Sequence, residues 1–255
     1  MLVLVWKRAD IRETSRLVTF LSAERGRFVA LAKGAHRRTS STLGKLDFLN
    51  RCEIGLSGRG FPLLSRVRLV HEPRALRSRA RFLAAMHLAE LFDRAILPDQ
   101  GDRPLFDLAL GAFALAERVE PRRLPVVVAA VELRILAALG SLPDLSQCTV
   151  CGAPLGTDEP AFAGAHEPGL ACELHRESGS IRVAAAIHAW LPRLVATKGR
   201  ELPSLATDEG FGAVLSICGR WVEAVFELRP RYRALALSSQ DAAFPRRGAS
   251  GAMPR

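Results

Sequence analysis

The sequence predicts an α+β multidomain protein: a five-stranded N-terminal β-barrel, then an all-α domain interrupted by one small insert. Three observations predict it. Up to about residue 72 the apolar residues fall in short runs separated by turn signals, and beyond Pro73 their period changes from 2 to about 3.6. Charge is segregated in the same way: residues 1–81 hold 18 Lys/Arg against 6 Asp/Glu, whereas the other 174 residues hold 18 against 20. Three of the five cysteines gather between positions 148 and 172, in a Gly/Pro-rich stretch between helical patterns.

The barrel strands read in order. Leu2–Trp6 is an apolar run, and Leu17–Leu21 is a second that ends at the turn Glu24-Arg25-Gly26. Arg27–Ala32 alternates and stops at Lys33-Gly34. Asp47–Leu56 is a fourth run, and Leu63–Val70, with Ser65, Arg66 and Arg68 interleaved, is a fifth. Five strands in about 70 residues, joined by glycine turns, have the size and count of a Greek-key barrel of the OB-fold type, placed here at residues 1–73.

Helices follow in a domain expected over residues 74–237. Arg74–Leu97 ends before Pro98, and Leu105–Val119 is a second helical stretch. Leu124, Val127, Val128, Val131, Ile135 and Ala138 form a stripe, with Gly140 placed for a C-cap. Thr207, Asp208 and Glu209 read as a cap and acidic first turn for a stripe running from Phe211 to Phe226. Residues 143–180 form the insert, and the Ser/Ala/Gly/Arg-rich tail 238–255 is expected to be disordered. No run approaches the length of a membrane span. Met1–Trp6 lacks a preceding basic region, so it reads as a first strand rather than a signal peptide, in a cytoplasmic protein.

The insert contains Cys148-Thr-Val-Cys151-Gly152 and, twenty residues later, Cys172-Glu-Leu-His175. Two such knuckles are what a tetrahedral Zn²⁺ site requires, since each places two ligands on one side of the ion. His166 is an alternative fourth ligand, but only His175 keeps the two-residue spacer. A complete Cys₃His set leaves no open position for water, so the zinc is expected to be structural. Cys52 and Cys218 have no partner at ligand spacing and read as small buried hydrophobes, while His71, His87 and His188 read as structural.

The basic module suits a polyanion. Arg12, Arg16, Arg25, Arg27, Lys33, Arg37, Arg38 and Lys45 are the candidate phosphate contacts, densest in the loop from Lys33 to Ser41. Of the aromatics in this module, Trp6, Phe20, Phe28 and Phe48 read as core, and Phe61 in a Gly/Pro turn is the candidate for stacking on a base. No catalytic constellation is present. Gly34 to Gly44-Lys45 is not a P-loop, Gly55-Leu-Ser-Gly-Arg59 fails the nucleophile-elbow pattern, and neither a deaminase signature nor a paired acidic cluster occurs. The residues by themselves leave two other readings open. One is a zinc-containing RNA-binding or regulatory barrel, separated by DNA–RNA competition. The other is an enzyme with zinc as Lewis acid, separated by an activity screen.

Beyond these patterns, Glu13-Thr-Ser-Arg-Leu-Val-Thr-Phe20, Glu24-Arg-Gly-Arg27, Ala32-Lys-Gly-Ala-His-Arg-Arg38 and Gly44-Lys-Leu46 resemble the N-terminal domain of the bacterial recombination mediator family RecO. Glu132–Gly140, Pro143-Asp-Leu145, the Cys148 knuckle and Gly169-Leu-Ala-Cys172 are similar to that family's helix and zinc knuckles, so the resemblance covers residues 1–190. Many zinc-bearing members have a fourth cysteine where this chain has His175, and Arg229-Pro-Arg-Tyr-Arg233 matches the family ending only loosely.

The resemblance implies a non-catalytic protein that binds single- and double-stranded DNA and anneals complementary strands. It implies work with RecR, and in some members RecF, to help RecA replace single-strand-binding protein during DNA repair and recombination after damage. The expected location is the cytoplasm, in association with the nucleoid.

Overall fold

Strand β1 (Leu2–Ile11) explains why the chain opens on an unbroken apolar run. Val3 and Val5 point into the barrel while Leu4 and Trp6 point outward against the helical domain, so both faces are buried. The computed structural model describes residues 1–11, 14–35, 40, 42, 44–58, 60–156, 158–205 and 210–241. The expected cap at Thr207–Glu209 therefore lies outside the described residues.

With β2 (Ser15–Ser22), β3 (Gly26–Ala32), β4 (Arg51–Ser57) and β5 (Leu63–His71), β1 closes a barrel in the order β1-β2-β3-β5-β4. β4 returns to β1, and β3 meets β5 in a parallel contact at Leu31 and Leu63. This is the five-stranded OB-type barrel that the turn spacing predicts. Val18, Phe20, Phe28, Ala30, Cys52, Ile54 and Val67 fill it. The fourth strand starts at Arg51 rather than Asp47. Asp47 instead closes a turn, its carboxylate accepting from the Phe48 N–H at 2.8 Å and its carbonyl from the Asn50 N–H at 3.0 Å.

The pairing registers sort the barrel into two ends. Ile11 pairs with Ser15, Arg16 with Ala32 and Ser57 with Leu63 at one end. Ser22 pairs with Gly26 and Arg51 with His71 at the other. The second end is docked on the helical domain. There the Arg27 N–H donates to Leu97 O at 3.2 Å and the Asp99 N–H donates to Arg27 O at 2.9 Å, so residues 97–99 bridge alongside the start of β3. The backbones interlock closely: Gly26 (φ +58°) lies against Gln100 O, and a Cβ on Gly101 would sit 2.6 Å from Glu24 O.

A single 3₁₀ turn (Arg74–Arg77) leads into α1 (Arg79–Ala95), followed by α2 (Arg103–Arg118) and α3 (Leu124–Ala138). Asp102 caps α2 by accepting from the Leu105 N–H at 2.9 Å. α3 ends as its glycine predicts. Gly140 (φ +72°) donates to Ala137 O, and Ser141 donates to Leu136 O. The stripe on α3 is not one face, however. Every described side chain from Leu124 to Leu136 except Arg134 is buried, while Ala138 is exposed. A helix apolar on all sides belongs in the middle of a domain, and α1, α2, α5 (Trp190–Ala196) and α6 (Phe211–Phe226) pack around it.

The insert folds as a three-stranded sheet in the order β7-β6-β8, with β6 Ala161–Ala163, β7 Leu170–Ala171 and β8 Ile181–Val183. Ala161, Ala163, Leu170 and Val183 join the main helical core, so the insert is pinned to the body rather than hung from it. A short helix α4 (Ala185–His188) follows, and α7 (Arg233–Asp241) closes the described chain. Ser238–Asp241 of the expected tail thus belong to a helix, and 242–255 lie outside the described residues.

Two carboxylates organise these parts. Asp93, on α1, accepts from Trp6 Nε1 at 2.9 Å, Lys7 Nζ at 2.8 Å and Arg27 Nη1 at 2.8 Å, collecting three donors from two barrel strands. Glu132, fully buried on α3, is held by Arg233 through both oxygens (2.7 and 3.0 Å) and by His87 Nε2 at 2.7 Å. Burial raises the Glu132 carboxyl, but the Arg233 charge and the His87 bond outweigh it and leave the group below its ordinary value. Gly219 leaves the space that the Arg233 guanidinium occupies.

Arg233→Met leaves Glu132 buried without its counter-charge, and we expect a loss of about 3–5 kcal/mol in chemical denaturation. Asp93→Ala strands three donors at the barrel–body seam and is expected to cost about 2–3 kcal/mol in the same measurement. Burial raises the Asp93 carboxyl, but its three donors outweigh that and leave it below its ordinary value. Its contribution is therefore complete above pH values near 3.8 and is lost as pH falls through the lower folded value, so wild type and variant converge in acid.

Candidate nucleic-acid interface and metal centre

Glycine and backbone amides build the metal knuckle. Gly152 (φ +70°) lets the chain turn back so that its N–H donates to Cys148 O at 2.9 Å, while the Cys148 N–H donates to Ala153 O at 2.8 Å. The Thr149 N–H donates to Leu170 O at 2.9 Å, which ties this knuckle to β7 and so to Cys172. The donor atoms of Cys148, Cys151, Cys172 and His175 all lie within 4.8 Å of one another. His175 Nδ1 is 3.3 Å from Cys172 Sγ and 3.9 Å from Cys148 Sγ. Ligands at ~2.0–2.3 Å on a tetrahedron would be roughly 3.6–3.8 Å apart, so four donors at this separation fit one metal ion. His166 is not in the cluster.

The electrostatics also fit a cation. Burial raises the Cys148 thiol, but the amides of Cys151, Cys172 and Val150 outweigh it and bring the thiol down to about 6. The Ala153 amide lowers Cys151, but the neighbouring Cys148 and Cys172 sulfurs and desolvation leave it raised. Crowded thiolates repel one another, and a divalent ion among them removes that repulsion. Cys52 and Cys218 differ: burial pushes Cys52 up to about 11, and burial with the Glu132 charge pushes Cys218 well up. Both are inert packing residues.

The candidate phosphate contacts divide between the two ends of the barrel. Arg25 and Arg27 sit at the docked end. Arg25 pairs with Asp99 at 2.6 Å and lies over the Phe28 ring at 4.6 Å, and Arg27 is held by Asp93. Carboxylates of the helical domain therefore engage both. At the free end are Arg16, which pairs with Asp10 across β1 and β2 at 2.6 Å, and Lys33, which is exposed and pairs with no carboxylate among the described residues. Lys45 Nζ donates to Val67 O at 3.3 Å on the barrel wall. Arg12, Arg37 and Arg38 lie outside the described residues; their described neighbours Ile11 and Ala35 are at the free end.

Phe61 is 55 % exposed in the β4–β5 turn, beside Pro62, whose carbonyl accepts from the Leu31 N–H at the same free end. Trp6, Phe20 and Phe28 are core, and Phe48 packs partly buried against the main core. Asp93 and Asp99 were not legible as partners of the basic module. They lie some 70 residues away, and the sequence carries no sign of which barrel end is docked.

An OB-type barrel with one free end, seated on a helical domain that carries a four-donor Cys₃His cluster, defines a two-part protein of barrel and helical body. Its affiliation is specific. The family model described as "Recombination protein O N terminal" matches residues 3–73, and "Recombination protein O C terminal" matches residues 76–233. The chain belongs to the Recombination protein O family. It is 34 % identical over 155 residues to the DNA repair protein RecO of Rhodopirellula baltica, covering 59 % of this chain and 57 % of that one. It is 34 % identical over 172 residues to that of Anaeromyxobacter dehalogenans, covering 66 % of each. With the Heliobacterium modesticaldum protein it shares 32 % over 209 residues, covering 79 % of this chain and 75 % of that one. The match spans less than two thirds of the first two relatives. Among the described residues no helix is long and apolar enough to cross a membrane.

Elemental analysis is expected to find one metal ion per chain. Cys172→Ser should lower that content and release the β7 edge of the insert, read as faster amide exchange at Thr149 and Leu170 than elsewhere in the body.

Proposed function

We propose that this chain is a DNA-binding recombination mediator. It binds single- and double-stranded DNA, anneals complementary strands, and helps RecA load onto single-stranded DNA coated by single-strand-binding protein in the repair of gaps and breaks. RecR, and in some settings RecF, are its protein partners, with RecA reached indirectly. It works in the cytoplasm at the nucleoid. Family membership supports this reading, and one observation carries it: Lys33, exposed and without a carboxylate partner among the described residues, and the exposed Phe61 stand at the barrel end that the body leaves open. Residues 1–73 are the DNA-binding domain and 74–237 the docking domain.

The mechanism needs no bond chemistry, and we assign no enzymatic activity. Phosphates on two strands repel each other. Lys33, with Arg12, Arg37 and Arg38 as further candidate cations of the same basic sequence, lowers that repulsion, and Phe61 offers a face for a base. Arg16 orients the start of β2 through Asp10. Arg25 and Arg27 act through the seam, holding the barrel so that its other end faces outward. The metal is zinc, held by Cys148, Cys151, Cys172 and His175 as a structural ion that fixes the insert on the helical core.

Strand annealing in the presence of single-strand-binding protein tests the reading, with acceleration expected and no acceleration contradicting it. Lys33→Gln with Arg37→Ala and Arg38→Ala should slow annealing. It should flatten the single-strand salt slope by about 0.7 for each phosphate no longer neutralised, with thermal stability unchanged.

A further inference from the structure

We propose a second single-strand site in the cleft where the docked end of the barrel meets the start of α1, taking an unstacked nucleobase with its phosphates on Arg74, Arg77 and Arg79. It rests on the reading that this chain binds nucleic acid.

The cleft holds about 190 Å³ and is lined by Phe48, Asn50, Leu76, Arg77 and Phe82, with the carboxylates of Asp47 and Glu72 at its wall. Phe82 is 43 % exposed, although its neighbours Ala84, Ala85 and Leu88 on α1 are buried. Arg79 lies one turn before Phe82, on the same helix face. The ring stands half-open at the mouth of a cleft whose lining is mostly apolar, with polar groups of Asn50, Arg77, Asp47 and Glu72 at its edge. A base stacked on that ring covers it.

The charges point to a phosphate. Arg74 and Arg77 share the single carboxylate of Glu72, at 2.9 and 2.6 Å, and Arg79 pairs with no carboxylate among the described residues. Arg77 lines the cleft, and Arg74 and Arg79 flank it in the chain, so three cations gather beside the Glu72 carboxylate. The first turn of α1 holds no acidic residue and no side chain caps its amides, so the helix dipole adds positive potential at the same place. Asp47 is bridged through Oδ1 to Arg8 at 2.8 Å, which offsets its charge at the cleft wall.

Geometry separates this site from the free end. β5 leads from the free end at Leu63 to the docked end at His71, and the chain reaches the cleft only after it. The nine residues of β5, at ~3.3 Å per step, put the two sites about 25 Å apart. One chain can then hold two strands at once, and each strand raises the effective concentration of the other.

The test is stoichiometric titration of the full chain at low salt with a fluorescent oligothymidylate of about eight nucleotides, within the site size of one such barrel. Two oligonucleotides per chain are expected. Phe82→Ala with Arg77→Gln should reduce this to one, while the Lys33, Arg37 and Arg38 variant should remove the other. Arg79→Gln, which breaks no ion pair, should weaken the second site several-fold even if the double variant folds poorly. One oligonucleotide per chain, abolished only in the Lys33, Arg37 and Arg38 variant and untouched by Phe82→Ala or Arg79→Gln, overturns the second site and leaves the proposed function standing. No binding by the wild type overturns both.

Discussion

The structure depends on one carboxylate at a seam. Asp93 draws Trp6, Lys7 and Arg27 from two barrel strands onto α1, and the interlocked backbones of Gly26 and Gly101 complete the fit. This seam decides which end of the barrel faces solvent. Without it the basic module would present all its cations alike. With it, Arg25 and Arg27 are paired with Asp99 and Asp93, while Lys33 and Phe61 stand at the open end.

The helical domain solves a different problem with the same chemistry. α3 is apolar enough to sit at the centre, yet it carries Glu132 there. A buried carboxylate is tolerable only when paired and hydrogen-bonded, and Arg233 arrives from about a hundred residues further on to supply both. The last described helix is thereby fixed to the core. The insert is held by other means, through the apolar residues of its small sheet and four donors gathered around one point.

Much of this was legible in the residues. Strand count, turn glycines and the change of period at Pro73 announced the barrel and the helices, because both rest on local spacing. The Cys148 and Cys172 knuckles announced, for the same reason, the cluster of four donors that could hold a metal. Ion pairing across the chain was not legible. Asp93, Asp99 and Glu132 look like ordinary helix and turn carboxylates in the sequence, and only the tertiary fold brings them to Arg27, Arg25 and Arg233. The turn at Asp47–Asn50 also escaped, since an apolar run with one Asp reads as a strand until its side chain is seen bonding the next amide. A single hydrophobic stripe on α3 was likewise too narrow a reading, because periodicity marks the better face and is silent about the other when both are buried.

The central claim is that the barrel end turned away from the helical domain is a nucleic-acid surface. Lysine acetylation followed by mass spectrometry, with and without saturating single-stranded DNA, tests it most directly. Lys33 should react readily in the free protein and be protected by DNA, while Lys198 on the helical domain reacts equally in both. Equal acetylation of Lys33 with and without DNA, under conditions where binding is complete, would contradict it.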